Sequence, residues 1–176
     1  MSLKRVNNFG KLGKAYDSVR RGYPKTVFAY LKKLAKGKGI KVLDIGCGTG
    51  LATRDLKKNG FEVVGADKDA VMLEFARKRK SGIPYIVAPA NKLPFKNNEF
   101  DVVTAFTALH WFADKKSLRE IKRVLKKGGL FFTALKDPSE EKRFQKLRNA
   151  YVALLKTYLG DSYDSTKGHN ATKILK

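Results

Sequence analysis

Residues 42–50 read Val-Leu-Asp-Ile-Gly-Cys-Gly-Thr-Gly, an apolar run with an acid near its end that opens into glycine at every second position. The run is short, bounded in front by Gly37-Lys38-Gly39, and predicts a buried strand over Ile40 to Ile45. Glycines at 46, 48 and 50 predict a tight loop whose backbone amides stand clear of side chains. Leu51 to Asn59, closed by Gly60, then reads as a helix. Strand, glycine loop and helix in that order belong to open α/β sheets, which bind ligands beyond the carboxyl ends of their strands.

The rest of the chain continues the alternation. Before the loop, Lys25 to Lys36 carries an apolar stripe of Val27, Phe28, Leu31 and Leu34 at helical spacing. After it come a strand from Glu62 to Ala66 ending at Asp67, a helix over Ala70–Lys80, a short strand over Tyr85–Ala88 and a loop rich in Pro and Asn. Phe100 to Phe106 reads as a fully buried strand, Ser117 to Lys126 as a helix stopped by Gly128-Gly129, and Leu130 to Leu135 as a fifth strand. Parallel neighbours need crossover connections, so the expectation is a doubly wound, Rossmann-like sheet of about five mainly parallel strands covered on both faces. Asp137-Pro138-Ser139 starts a long helix with Phe144, Leu147, Tyr151, Leu154, Leu155 and Tyr158 at helical spacing until Gly160. One domain over 1–160 and a flexible polar tail over 161–176 are expected.

A glycine loop after the first strand also marks dinucleotide folds, but there the spacing is GxGxxG, and the third glycine position is Leu51 here. Asp44 weighs the same way: a carboxylate repels a pyrophosphate and suits the cationic amino or sulfonium end of a cofactor without phosphate. Asp67, at the tip of the second strand, is placed to accept hydrogen bonds from both ribose hydroxyls.

In this order of landmarks the chain resembles the small-molecule class I S-adenosylmethionine-dependent methyltransferases. Residues 42–50 look like their first motif and Val63-Val64-Gly65-Ala66-Asp67 like the acid-tipped strand that follows. Leu93-Pro94-Phe95, Phe100-Asp101-Val102-Val103, Ala108-Leu109-His110-Trp111-Phe112 and Arg123-Val124-Leu125-Lys126-Lys127-Gly128-Gly129 match the remaining landmarks in order. The resemblance implies strand order 3-2-1-4-5, S-adenosyl-L-methionine as cofactor and S-adenosyl-L-homocysteine as product. It implies an N-terminal helical lid in which Tyr16 and Arg20, ahead of Tyr23-Pro24, close over the methionine end, with a substrate carboxylate or an ordinary surface position as the alternatives for Arg20. Asp44, Gly46, Cys47, Gly48, Gly50, Asp67, Lys68, Ala90, Asn91 and Phe106 would bind the cofactor, with Asp67 at the ribose. Relatives carry Gly-Asp-Ala before Leu-Pro-Phe where this chain has Ala88-Pro89-Ala90-Asn91, so the adenine contact passes to Asn91 or to a backbone carbonyl. Two further strands that relatives add as an antiparallel edge hairpin are not legible, which leaves either a five-strand sheet or a shortened chain.

Beyond the cofactor, His110 is a candidate general base, with packing or an adenosyl contact as the alternative. Trp111 and Phe112 form a candidate substrate wall that keeps water from the sulfonium, with core packing as the alternative. Cys47 is read as a small packing residue. One cysteine and two distant histidines make neither a disulfide nor a zinc site, so no metal is expected. No apolar run approaches the roughly 20 residues that span a bilayer, and residues 1–8 lack a secretory apolar core, so a cytoplasmic location without membrane contact is expected. Lys and Arg number 38 against 16 acids, a formal charge of +22, which keeps nucleic acid among the partners, with solvated helix faces as the alternative because the lysines fall singly and not in one block. Three functions compete: methyl transfer to a small molecule, methyl transfer to RNA, and cofactor binding without transfer. Oligomeric state is not legible.

Overall fold

The computed structural model describes residues 22–134 and the backbone of 170–173. In chain order the elements are α1 (Lys25–Ala35), β1 (Lys41–Ile45), α2 (Leu51–Lys58), β2 (Glu62–Asp67), α3 (Ala70–Lys78), β3 (Tyr85–Val87), β4 (Phe100–Phe106), a 3-10 turn (Leu109–Trp111), α4 (Lys115–Val124), β5 (Leu125–Ala134) and β6 (Asn170–Lys173). They build one sheet in the order β3-β2-β1-β4-β5-β6. The first five strands are mutually parallel, as the alternation of strands and helices requires. Tyr16, Arg20 and the helix expected from 137 to 160 lie outside the described residues.

Alternate residues of the strands feed two layers. Val42, Val63, Val102 and Phe132 face α1 and α2 through Val27, Phe28, Leu31 and Leu56. Leu43, Ile45, Val103 and Phe131 face α4 through Leu118, Ile121 and Val124. This period of two through central strands buried on both faces is why their sequences read as unbroken apolar runs. α3 packs on the β2–β3 edge, where Leu73 and Ala76 meet Ile83 and Tyr85. Among the described residues no helix is long and apolar enough to cross a membrane.

Two features depart from the sequence expectation. Gly128-Gly129 does not stop α4. Asp114 caps that helix at its start, accepting from the Lys116 and Ser117 amides at 2.9 Å each, and the helix has ended by Val124. The glycines instead lie within β5, where pairing with β4 slips from Phe100↔Leu125 to Val102↔Leu130. Gly128 takes φ of 72° there, and a Cβ on Gly129 would stand 2.8 Å from the Lys126 carbonyl oxygen and 3.1 Å from that of Asp101. Only glycine fits such a bulge. The second departure is β6, which pairs antiparallel to β5 with Phe131 opposite Thr172. It falls in the stretch expected to be a polar tail and adds an edge strand to the five that were expected.

Candidate functional site

The site begins where β1 ends. Gly46 turns the chain with φ of 67°, and the Gly46 and Cys47 amides donate to the Ala66 carbonyl at 2.7 and 3.2 Å, tying the loop to β2. A Cβ on Gly46 would stand 2.7 Å from the Ala108 Cβ and 3.0 Å from the Phe112 ring, so any side chain there collides with the segment that follows β4. Gly50, also left-handed, passes against the Tyr85 ring and shapes the turn from beneath without lining the cavity.

Two aspartates flank this loop, held differently. Asp44 is 1% exposed, and its two oxygens accept from the hydroxyls of Thr53 at 2.6 Å and Thr104 at 2.8 Å. Burial pushes its carboxyl up to about 6, the two threonine hydroxyls oppose the rise and the charge of Asp67 adds to it. Asp67 stands at the tip of β2, where one oxygen accepts from the Gly48 amide at 2.8 Å and the other from the Asp69 amide at 2.9 Å. Its carboxyl is also raised, by burial above all, against the pull of those two amides. Asp67 therefore braces the glycine loop, and each of its oxygens keeps a second lone pair. Burial, then the charges of Asp44 and Asp67, push the Cys47 thiol well up, which keeps it protonated and unreactive.

The far wall is the segment after β3. The Ala88 amide donates to the Asp67 carbonyl at 2.9 Å, and the Leu93 amide to the Glu120 carboxylate at 2.8 Å. Arg123, paired with Glu120 through bonds of 2.7 and 2.8 Å, reaches the Leu93 carbonyl at 2.9 Å and the Phe95 carbonyl at 2.8 Å. α4 thus clamps the loop that carries Ala90 and Asn91. The third wall follows β4. Thr107 is β-branched yet has φ of 51°, a strained conformation of the kind retained near ligand sites. Its hydroxyl shares a 2.5 Å hydrogen bond with the Tyr23 hydroxyl, and the Tyr23 ring meets Phe106 edge-on at 4.8 Å. The segment before α1 is thereby fixed over the carboxyl end of β4.

These walls enclose a cavity of about 290 Å³. Its lining includes the sequence-predicted Asp44, Gly46, Cys47, Gly48, Asp67 and Lys68, and on the other sides Ala90, Asn91, Phe106, Trp111 and Phe112. His110 does not line it. Its ring lies against Trp111 with centroids 4.8 Å apart, in the 3-10 turn that carries both. The lining also contains Tyr23, Asp69, Thr107, Asp114 and Ser117, which the sequence reading did not assign to the site. Asp69 and Asp114 were legible in principle, each being an acid just before a helix. Nothing in the sequence marks the backbone twist at Thr107.

A family of methyltransferase domains matches residues 43–133, just over half of the chain. This chain belongs to it. The family is that of the S-adenosylmethionine-dependent methyltransferases of class I, Rossmann-like fold. A demethylmenaquinone methyltransferase of Corynebacterium kroppenstedtii is 39% identical over 127 residues, a match covering 69% of this chain and 55% of that protein. Among solved structures, an S-adenosylmethionine-dependent methyltransferase of Mesorhizobium loti is 28% identical, with TM-score 0.54 over 65% of this chain and 53% of that one. A Methanococcus maripaludis protein shares the fold at 19% identity, with TM-score 0.65 over 100% of this chain and 98% of its own. The chain spans about half the length of the curated relatives it matches. Within the methyltransferase fold the cavity sits at the carboxyl ends of β1, β2 and β4, where the sheet order reverses its direction of winding.

Proposed function

We propose that this domain binds S-adenosyl-L-methionine in the cavity between β1, β2 and β4 and transfers its methyl group to a small molecule. The observation that carries the reading is the charge of the lining: Asp44, Asp67, Asp69 and Asp114 face the cavity, and Lys68 is the one cation among the described residues that line it. Such a site favours a ligand with ammonium and sulfonium charges and repels the pyrophosphate of a dinucleotide. When bound, the cofactor supplies a methyl group activated by its positive sulfur.

The remaining chemistry belongs to the chain. Asp67 offers its free lone pairs to two ribose hydroxyls while its other two accept from the Gly48 and Asp69 amides. Asp44, fixed by Thr53 and Thr104, presents a carboxylate toward the methionine end. Gly46 lets the loop close against Ala108 and Phe112, and Gly48 leaves room for the ligand against the backbone. Ala90 and Asn91 take the adenine side, and Phe106, Trp111 and Phe112 keep water from the reacting centre. In-line displacement asks the enzyme mainly to hold nucleophile and sulfonium in line. Tyr16 and Arg20 are assigned to closure over the methionine end. His110, behind Trp111, serves as a base only through a rotation of its turn.

A small acceptor is favoured by the enclosed, partly aromatic cavity and by the small-molecule chemistry in the name of the Corynebacterium relative. Tritiated methyl donor offered with the purified protein to fractionated cell extract tests it. Label in the low-molecular-weight fraction is expected. Label in RNA alone would replace this reading with the RNA-directed one, and label in no fraction would leave a binding protein.

A further inference from the structure

Among the described residues, cations gather in two places, along α4 and at the exits of the first three helices, and in the second place three elements contribute to one edge. α1, α2 and α3 lead into β1, β2 and β3, which are neighbours in the sheet, so the three helices end side by side at the amino edge of the strands. Hydrogen bonds between them show that the ends adjoin. The Lys32 ammonium reaches the Asn59 carbonyl at the end of α2, at 3.4 Å, and the Lys57 ammonium reaches the Ser81 and Gly82 carbonyls past the end of α3, at 2.8 and 3.1 Å. Each end carries exposed cations. Lys32, Lys33, Lys36 and Lys38 stand on α1 and its exit, Lys57 and Lys58 on α2, and Lys78, Arg79 and Lys80 on α3 and its exit. The acids nearby are Asp55, which pairs with Lys58 at 3.3 Å, Glu62, Glu74 one turn before Lys78, and Glu99 and Asp101 at the entry of β4, which hold Lys41.

Basic last turns are what a helix dipole favours, and that alone would explain Lys32, Lys57 and Lys78. It does not explain Lys36 and Lys80. Both have positive φ, 38° at Lys36, the first residue past α1, and 47° at Lys80, the second residue past α3, the closing position that Gly60 holds after α2 with φ of 87°. At two of three adjoining helix ends, ammonium groups occupy places where the backbone disfavours any side chain.

We infer that this row of helix ends is a docking surface for a nucleic-acid phosphodiester backbone, separate from the cavity. The row is about three helices wide at spacings of roughly 10 Å, a line of charge that suits a strand of phosphates. Leu34, 36% exposed, is the large apolar side chain exposed near it among the described residues, so the surface has little to insert into a lipid layer. The cavity opens at the opposite end of strands such as β1, whose five residues measure roughly 16 Å. A nucleic acid held here is an anchor and not the methyl acceptor, and the inference stands whichever acceptor the cavity serves.

The test is fluorescence anisotropy of labelled RNA and DNA hairpins with the full chain, across salt from roughly 50 to 200 mM. Two variants of equal charge are compared: Lys33→Glu, Lys38→Glu, Lys80→Glu on the row, and Lys116→Glu, Arg119→Glu, Lys122→Glu on α4, across the sheet. Binding to either hairpin is expected, the stronger arm identifying the nucleic acid. The row variant should bind at least tenfold more weakly with a salt slope smaller by about 2 to 3, the α4 variant should stay near wild type, and cofactor affinity should not change in either. Equal losses in both variants, no binding by the wild type, or stronger binding to phosphatidylglycerol vesicles than to the hairpins overturns the assignment.

Discussion

At Asp44 burial and hydrogen bonding act in opposite directions, and burial wins, leaving the carboxyl at about 6 against its ordinary 3.8. A carboxyl raised on folding binds its proton more tightly in the native state than in the unfolded chain. Its contribution to stability is therefore fully present below pH 3.8, falls as pH rises toward 6, and is lost above that. The stability advantage of the wild type over Asp44→Asn should shrink by about 3 kcal/mol across this window, as read by denaturant unfolding at pH 4, 5, 6 and 7. A flat difference would show that the carboxyl titrates normally. Gly46 supports a steric prediction. Gly46→Ala places a methyl 2.7 Å from Ala108 and 3.0 Å from Phe112, and should abolish cofactor binding in calorimetry while the protein still folds. Asp44, Asp67 and the glycine loop were legible because charge, spacing and strand position constrain one another. The cavity roles of Tyr23 and Thr107 were not, since they depend on a hydrogen bond between residues 84 positions apart and on a dihedral no residue type announces.

Among the elements, the parallel strands and their helices were legible from apolar runs and helical spacing, and β4 falls over the residues read from sequence. The misreadings have a common cause in backbone pairing. Gly128-Gly129 serves either to end a helix or to bulge a strand, and only the register against β4 decides between them. β6 is four residues without an apolar signature, ordered by the ladder it makes with β5. The clamp of α4 on the 93–97 segment is likewise a matter of reach. Arg123→Met removes its bonds to two carbonyls and to Glu120, and should cost about 1–2 kcal/mol in denaturant unfolding, allowing for the partial exposure of the pair. Amide exchange in residues 90–97 should quicken in the same variant. Unchanged exchange there would mean that the loop holds its shape without α4.

At the scale of the whole molecule, the described residues place carboxylates around the cavity beyond the carboxyl ends of the strands and an excess of ammonium groups over carboxylates at the exits of α1, α2 and α3. The net charge of +22 in the sequence suggested a polyanion but not where it would sit, because position follows from strand order and not from composition. The central claim is that the acid-lined cavity accepts S-adenosyl-L-methionine through Asp67. Isothermal titration of wild type and Asp67→Asn with this cofactor, followed by competition with its demethylated product and with NAD, tests it most directly. Saturable one-to-one binding is expected, displaced by S-adenosyl-L-homocysteine and not by NAD, and weakened at least tenfold in Asp67→Asn, whose amide retains one acceptor oxygen for the loop. Absence of binding by the wild type, or displacement by NAD, would contradict it.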